Sequence, residues 1–213
     1  MDMLHDFFDY LCVVLIIVNA ALFIYSYKEN RRNLSYRLFC MYLIISVVIN
    51  LFVIILGSYK INNLYFSHYY FILQFILLSL FYRTLFIKNQ KQIVSAVLVT
   101  VVGILSIQYA YSPELYFKFN TTEVFLTCFP IVVYAMIHLY NSLNKSPKYL
   151  YINAGILIYL ATSTLIFILG DYLSGSNTGA VNNIWLINKV LYATYLALIL
   201  TEWWKNFRLI KNK

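Results

Sequence analysis

Few side chains in this sequence can do chemistry, and most of those lie inside apolar runs, where polar groups are costly and so become functional candidates by default. Lys189 is the sharpest of them. An amine at that depth is what a Schiff-base chromophore would need, but such a group also needs an acidic counter-ion. The third apolar run holds Gln74 with no Asp or Glu, and the residue four before the lysine is Trp185. Lys189 is therefore expected either to reach the interface on its long stem or to join a polar site within a helix bundle. Asn188, Tyr192, Tyr195 and Glu202 recur at i, i+4, i+7 and i+14, the spacing of one helical face, and Lys189 and Trp185 flank it. Glu202 is expected to reach interfacial water.

Glu123 is the acidic group expected nearest Lys189, because both fall in the same outer third of the membrane. The run Asn120-Thr121-Thr122-Glu123 also reads as a capping box at a helix start. Asp171 is a second candidate partner. Ser67, Tyr70 and Gln74 share a face at i, i+3 and i+7, while His68 points elsewhere and is either a proton-responsive group or an interfacial hydrogen-bonding residue. The candidate polar site is thus Lys189, Glu123, Asn188, Tyr192, His68 and Gln74. No catalytic residue, metal site or cofactor is expected: the chain has no Gly-rich phosphate loop, no HExxH and no GxSxG. Cys12, Cys40 and Cys128 have no metal-ligand spacing and read as small buried apolar residues.

The elements that must position these groups are seven apolar runs, at 7–27, 36–57, 64–86, 93–111, 121–140, 149–170 and 183–204. Each is near the 20 or so residues that a helix needs to cross a bilayer. With 62% hydrophobic and 11% charged residues in 213, the expected fold is all-α, a single polytopic bundle of seven transmembrane helices over 1–213. Thirteen of the sixteen Lys and Arg fall in the first, third and fifth loops and the C-terminal tail, so the N-terminus is expected outside and the C-terminus inside. The net charge of +8 then reflects insertion and attraction to anionic headgroups rather than nucleic-acid binding. The first run lacks a basic n-region and an A-x-A site, so it reads as a span rather than a signal peptide.

Smaller features add detail. Trp203, Trp204, Tyr25, Tyr27 and Tyr36 read as interfacial anchors. Ala96, Thr100, Gly103, Ser106 and Ala110 form a small-residue stripe on the fourth span, suited to packing or to a homo-oligomer seam. Pro130 removes one amide from the fifth span. The segments 64–82, Tyr151-Ile152-Asn153-Ala154-Gly155-Ile156-Leu157-Ile158-Tyr159 and Asn183-Ile184-Trp185-Leu186-Ile187-Asn188 resemble small seven-helix bacterial integral membrane proteins. That resemblance implies an acidic residue where this chain has Gln74, and it lends no activity. Sugar transporters of three-plus-one-plus-three design use matched prolines in two repeats, whereas this chain has Pro113, Pro130 and Pro147 with one inside a span. Lysoplasmalogenase-like enzymes use intramembrane aspartates, which the span centres here lack.

The expectation is a non-enzymatic protein of a bacterial cytoplasmic membrane, a sensory or accessory subunit passing an outer-side or lipid signal to a partner at the basic inner face. A small-solute or ion transporter and a membrane-embedded lipid-modifying enzyme are the alternatives.

Overall fold

Backbone amides left unpaired in hydrocarbon are heavily penalised, so apolar runs of this length resolve as helices. The computed structural model describes residues 2–143, 148–173 and 178–208, and no strand occurs among them. The helices are α1 (Asp2–Tyr25), α2 (Tyr27–Asn30), α3 (Leu34–Ser58), α4 (Tyr65–Leu85), α5 (Lys88–Tyr111), α6 (Thr121–Asn141), α7 (Leu150–Leu173) and α8 (Thr178–Glu202). A 3-10 turn, Pro113–Phe117, precedes α6, and a π turn, Trp203–Phe207, follows α8. All but α2 are long and apolar enough to cross a membrane, which makes the chain a multi-pass membrane bundle.

Every expected run is present, but several helices outlast their apolar stretch. α5 begins at Lys88 rather than at 93, and α8 at Thr178 rather than at 183. In α5 the added turn is polar yet anchored: Gln90 accepts from Asn141 Nδ2 of α6 at 2.9 Å. Helix α6 runs unbroken through Pro130.

The helices alternate in direction. We call the end where α1, α4, α6 and α8 begin the N-face, and the opposite end the C-face. Six helices close a ring in the order α1, α3, α4, α6, α7, α8, while α5 lies outside it, chiefly against α4. The stripe on α5 is not used for packing within the chain: Ala96, Thr100, Ser106 and Ala110 are exposed, and a Cβ on Gly103 would meet nothing within 4 Å. The ring is closed by α1 and α8, which run parallel. Cys12 Sγ donates to Lys189 O at 3.6 Å, Asn19 Nδ2 to Leu196 O at 3.0 Å, and Trp203 Nε1 to Ser26 Oγ at 2.9 Å.

Lipid is as apolar as leucine, so helices associate in it through close packing and interhelical hydrogen bonds rather than through hydrophobic burial. The C-face half is packed by rings. Phe23, Tyr36, Phe39, Phe81, Tyr82 and Tyr149 are all essentially inaccessible. Tyr82 also donates to Asn153 Oδ1 at 2.8 Å, and Asn153 Nδ2 donates to Ala135 O at 3.1 Å, which ties α4, α7 and α6 together. Two expected interfacial anchors belong instead to this core. Tyr36 is buried and donates to Phe23 O at 2.7 Å, and Trp203 is buried against Ser26. Both satisfy their polar ends on protein atoms, so neither needs interfacial water. Trp204 is exposed, with the Arg208 guanidinium 4.1 Å from its ring centre.

Helices α7 and α8 approach closely at Gly155, where a Cβ would stand 2.7 Å from Cδ2 of Tyr195. That ring has little freedom to yield, because it stacks on Tyr159 at 5.5 Å and its hydroxyl donates to Tyr42 at 3.2 Å. Gly155→Ala is expected to destabilise the fold by about 1–3 kcal/mol through overpacking, outweighing the ~1 kcal/mol that Ala gains over Gly in a helix. Gly103→Ala, with open space around it, should be neutral or mildly stabilising. Equal unfolding midpoints for the two variants in the same micelle would show that the close approach is unimportant.

Candidate functional site

In the N-face half of the ring the described residues leave open space. Helices α3, α4, α7 and α8 surround a cavity of about 580 Å³ that extends to the N-face loop residues Asn63 and Phe119. Its walls are aromatic, with Tyr70 and Phe71 from α4, Tyr159 and Phe167 from α7, and Trp185 and Tyr192 from α8. Gly170 gives α7 the room to pass Trp185, whose Cζ2 would lie 3.3 Å from an added Cβ. The polar lining is sparse and uncharged. Asn50 and Asn63 each place one amide N–H on a backbone carbonyl, Ser46 O and Val53 O, and Ser67 donates to Leu64 O in its own helix. Among the described residues no Lys, Arg, Asp or Glu lines the cavity. Its size and lining match those of pockets for neutral, largely apolar ligands.

A second constellation lies on the other side of the same α4 turn. Ser67 faces the cavity, and its neighbour His68 is buried with Nδ1 2.7 Å from Oε2 of Glu123. Tyr109 of α5 donates to the same carboxylate oxygen, and its hydroxyl is 2.9 Å from His68 Nδ1. Asn120 Nδ2 donates to the Tyr109 hydroxyl at 3.3 Å, while Asn120 Oδ1 caps α6 by accepting from Glu123 N at 3.2 Å. The 3-10 turn covers the group by stacking Tyr116 on His68, with ring centres 5.9 Å apart. A hydrogen bond with the Tyr69 hydroxyl, and then burial, push the Tyr116 phenol up to about 12, so it stays neutral at ordinary pH. Two atoms inside the constellation, His68 Nε2 and Glu123 Oε1, are buried without a partner. A pair so enclosed ties α4, α5 and α6 together at the N-face and presents no reactive atom to the cavity.

The expected site is thus divided among several places. Glu123 does not meet Lys189: it pairs with His68, because α6 neighbours α4 and α7 while α8 neighbours α7 and α1. Lys189 Nζ donates to Asp9 Oδ2 of α1 at 2.6 Å near the surface, in keeping with an ammonium reaching the interface. Only half of the expected capping box forms, since the Glu123 carboxylate turns to His68 and Tyr109. Tyr192 lines the cavity. Asn188 is half-buried and its Oδ1 has no partner. Gln74 is buried one turn below Tyr70 with Oε1 unpartnered, and it is not among the residues lining the cavity.

Glu202 departs furthest from expectation. It is fully buried and accepts from Tyr151 N at 2.9 Å and from Asn206 Nδ2 at 2.6 Å, so its carboxylate serves the free amides at the start of α7. The three cysteines are free and buried, as expected. The side chain of Asp171 lies outside the described residues, as do Lys145, Lys211 and Lys213. Tyr109 and Asp9 are the interacting residues that sequence reasoning passed over. Tyr109 is one of 21 tyrosines and carries no distinguishing pattern. Asp9 was visible as an acid at the same membrane depth as Lys189.

No family model, curated protein or solved structure matches this chain.

Proposed function

We propose that this chain is a non-enzymatic sensory or accessory protein of a bacterial cytoplasmic membrane, with its N-face outside. In this reading it binds a neutral apolar or amphipathic molecule in the N-face cavity and passes the event to a protein partner at the basic C-face. The observation that carries the reading is the cavity itself: aromatic, walled by four helices and, among the described residues, uncharged, with a tightly packed half of the bundle toward the C-face. The side assignment rests on the basic residues, whose retention on the cytoplasmic side orients the C-face inward. Ser67 and Phe119 line the cavity while the adjacent His68 and Asn120 hold the buried pair, so a ligand that shifts the start of α4 also strains the contact with α6. Transport would require the packed C-face half to open, and an ion would find no counter-charge among the described lining residues, so both weigh less.

The test uses Trp185 as an internal reporter. Protein in neutral detergent is titrated with a neutral brominated long-chain alcohol, which quenches indole emission on contact. Saturable quenching at one alcohol per chain, absent in Trp185→Phe, is the expected result. Quenching that rises linearly and equally in both proteins is micelle partitioning, and it would remove the case for a binding cavity. Crosslinking in native membranes then addresses the partner.

A further inference from the structure

We propose that a groove at the C-face, between α3, α4 and α5, is a site for the headgroup of an anionic phospholipid, a role separate from the N-face cavity. The groove encloses about 680 Å³ and carries Arg32, Arg83 and Lys91 on its walls. A neighbouring depression of about 470 Å³ shares Arg83 and Lys91 and adds Lys88. Among the described residues none of these four cations has a carboxylate within 4.0 Å, since the contacts of that kind are His68 with Glu123 and Lys189 with Asp9. Clustered cations without counter-ions repel one another, and a bound anion relieves that repulsion. Helix α3 begins at Leu34 and α5 at Lys88, so two amino-terminal helix ends add positive potential at the same rim. Ser35 and Thr84 also line the groove.

The apolar part selects a lipid over a free anion. Leu38 and Leu80 line the groove beside the cations. Arg83 stands above Leu80, Ile76 and Leu73, which follow at three, seven and ten residues back along α4, the spacing of one helical face, and all three are half-buried. An acyl chain lying along that stripe, between α3 and α5, would leave its phosphate level with Arg83. Inorganic phosphate has no use for the stripe, and an acidic protein segment would not extend into it.

The experiment compares two variants that remove equal charge from the same face. Arg32→Gln/Arg83→Gln/Lys91→Gln alters the groove, whereas Lys28→Gln/Arg31→Gln/Lys148→Gln alters exposed cations outside it. Each purified protein, stripped of lipid in neutral detergent, is titrated with phosphatidylglycerol or phosphatidylcholine and read by native mass spectrometry. Each cation near a membrane surface is worth about fivefold in binding. The groove variant is therefore expected to lose phosphatidylglycerol by at least about tenfold, with phosphatidylcholine unchanged and the control variant close to the unaltered protein. Equal losses in both variants would mean diffuse surface charge and overturn the site. So would an unaltered protein without preference for phosphatidylglycerol. Full displacement by millimolar inorganic phosphate would reassign the groove to a free anion, and displacement by a hepta-glutamate peptide at equal concentration would reassign it to an acidic protein segment.

Discussion

Glu123→Ala is expected to lower the stability of the folded bundle by about 3–5 kcal/mol, the range for breaking a buried pair by removing one member. The carboxylate accepts from Tyr109 and meets His68, and all three groups belong to different helices, so its loss takes the charged partner from the buried His68 and the acceptor from the half-buried Tyr109 at once. The start of α6 is not what the variant tests. The cap from Asn120 uses the backbone amide of residue 123 and survives the substitution. Replacing the pair together, as His68→Leu/Glu123→Leu, removes both polar ends and should recover much of the loss, because two apolar groups leave less unsatisfied. The measurement is reversible unfolding in mixed micelles, followed by helical circular dichroism. A single-variant loss below about 1 kcal/mol would place the pair among contacts of surface strength and contradict the enclosure described above.

Ser67→Trp is expected to weaken binding of the brominated alcohol by about a hundredfold, or about 2.7 kcal/mol, while leaving the unfolding midpoint within a degree or two of the unaltered protein or above it. Ser67 lines the cavity, and its hydroxyl donates only to a carbonyl of its own helix, so little is lost with it. An indole there enters empty space rather than a packed core, which is the circumstance in which enlargement does not strain a fold. Ala96→Trp, on the exposed stripe of α5, is the matched control and should bind normally. If both variants bind as the unaltered protein does, the ligand sits elsewhere and the cavity is a packing defect.

What could be read from the sequence divides along a physical line. The seven spans were legible because the bilayer imposes a length and a composition that local sequence must meet by itself. The helix ends were less so, because hydropathy registers where hydrocarbon stops while the helix continues. Lys88 to Gln92 is polar and still helical, held in part by Gln90 on Asn141. The single face of α8 was half right. Tyr192 lines the cavity and Tyr195 is core, yet Glu202 turned from the interface to the amides of α7.

Pairings across the bundle were not legible, since depth alone matched Glu123 to Lys189 and only the ring order separates them. One clue was present. In a ring of sequential helices the first and last become neighbours, and that adjacency gives Lys189 to Asp9. The cavity left no trace in the sequence, because an aromatic that lines a void and one that fills a core are the same residue in the same apolar run.

The contact between α1 and α8 also has a consequence in time. Its hydrogen bonds join Cys12 to Lys189, Asn19 to Leu196 and Ser26 to Trp203, each pair 177 residues apart and each seven residues beyond the one before. Because the two helices are parallel, no hairpin can form this seam, and it must await the synthesis of α8. Until then the growing chain is an open arc in the membrane, with the Asn19 amide and the Ser26 hydroxyl lacking their final partners. Contacts of such long sequence separation form slowly, and an arc with uncovered polar groups is the state most exposed to wrong association. The insertion of α8 is therefore the step that closes the ring.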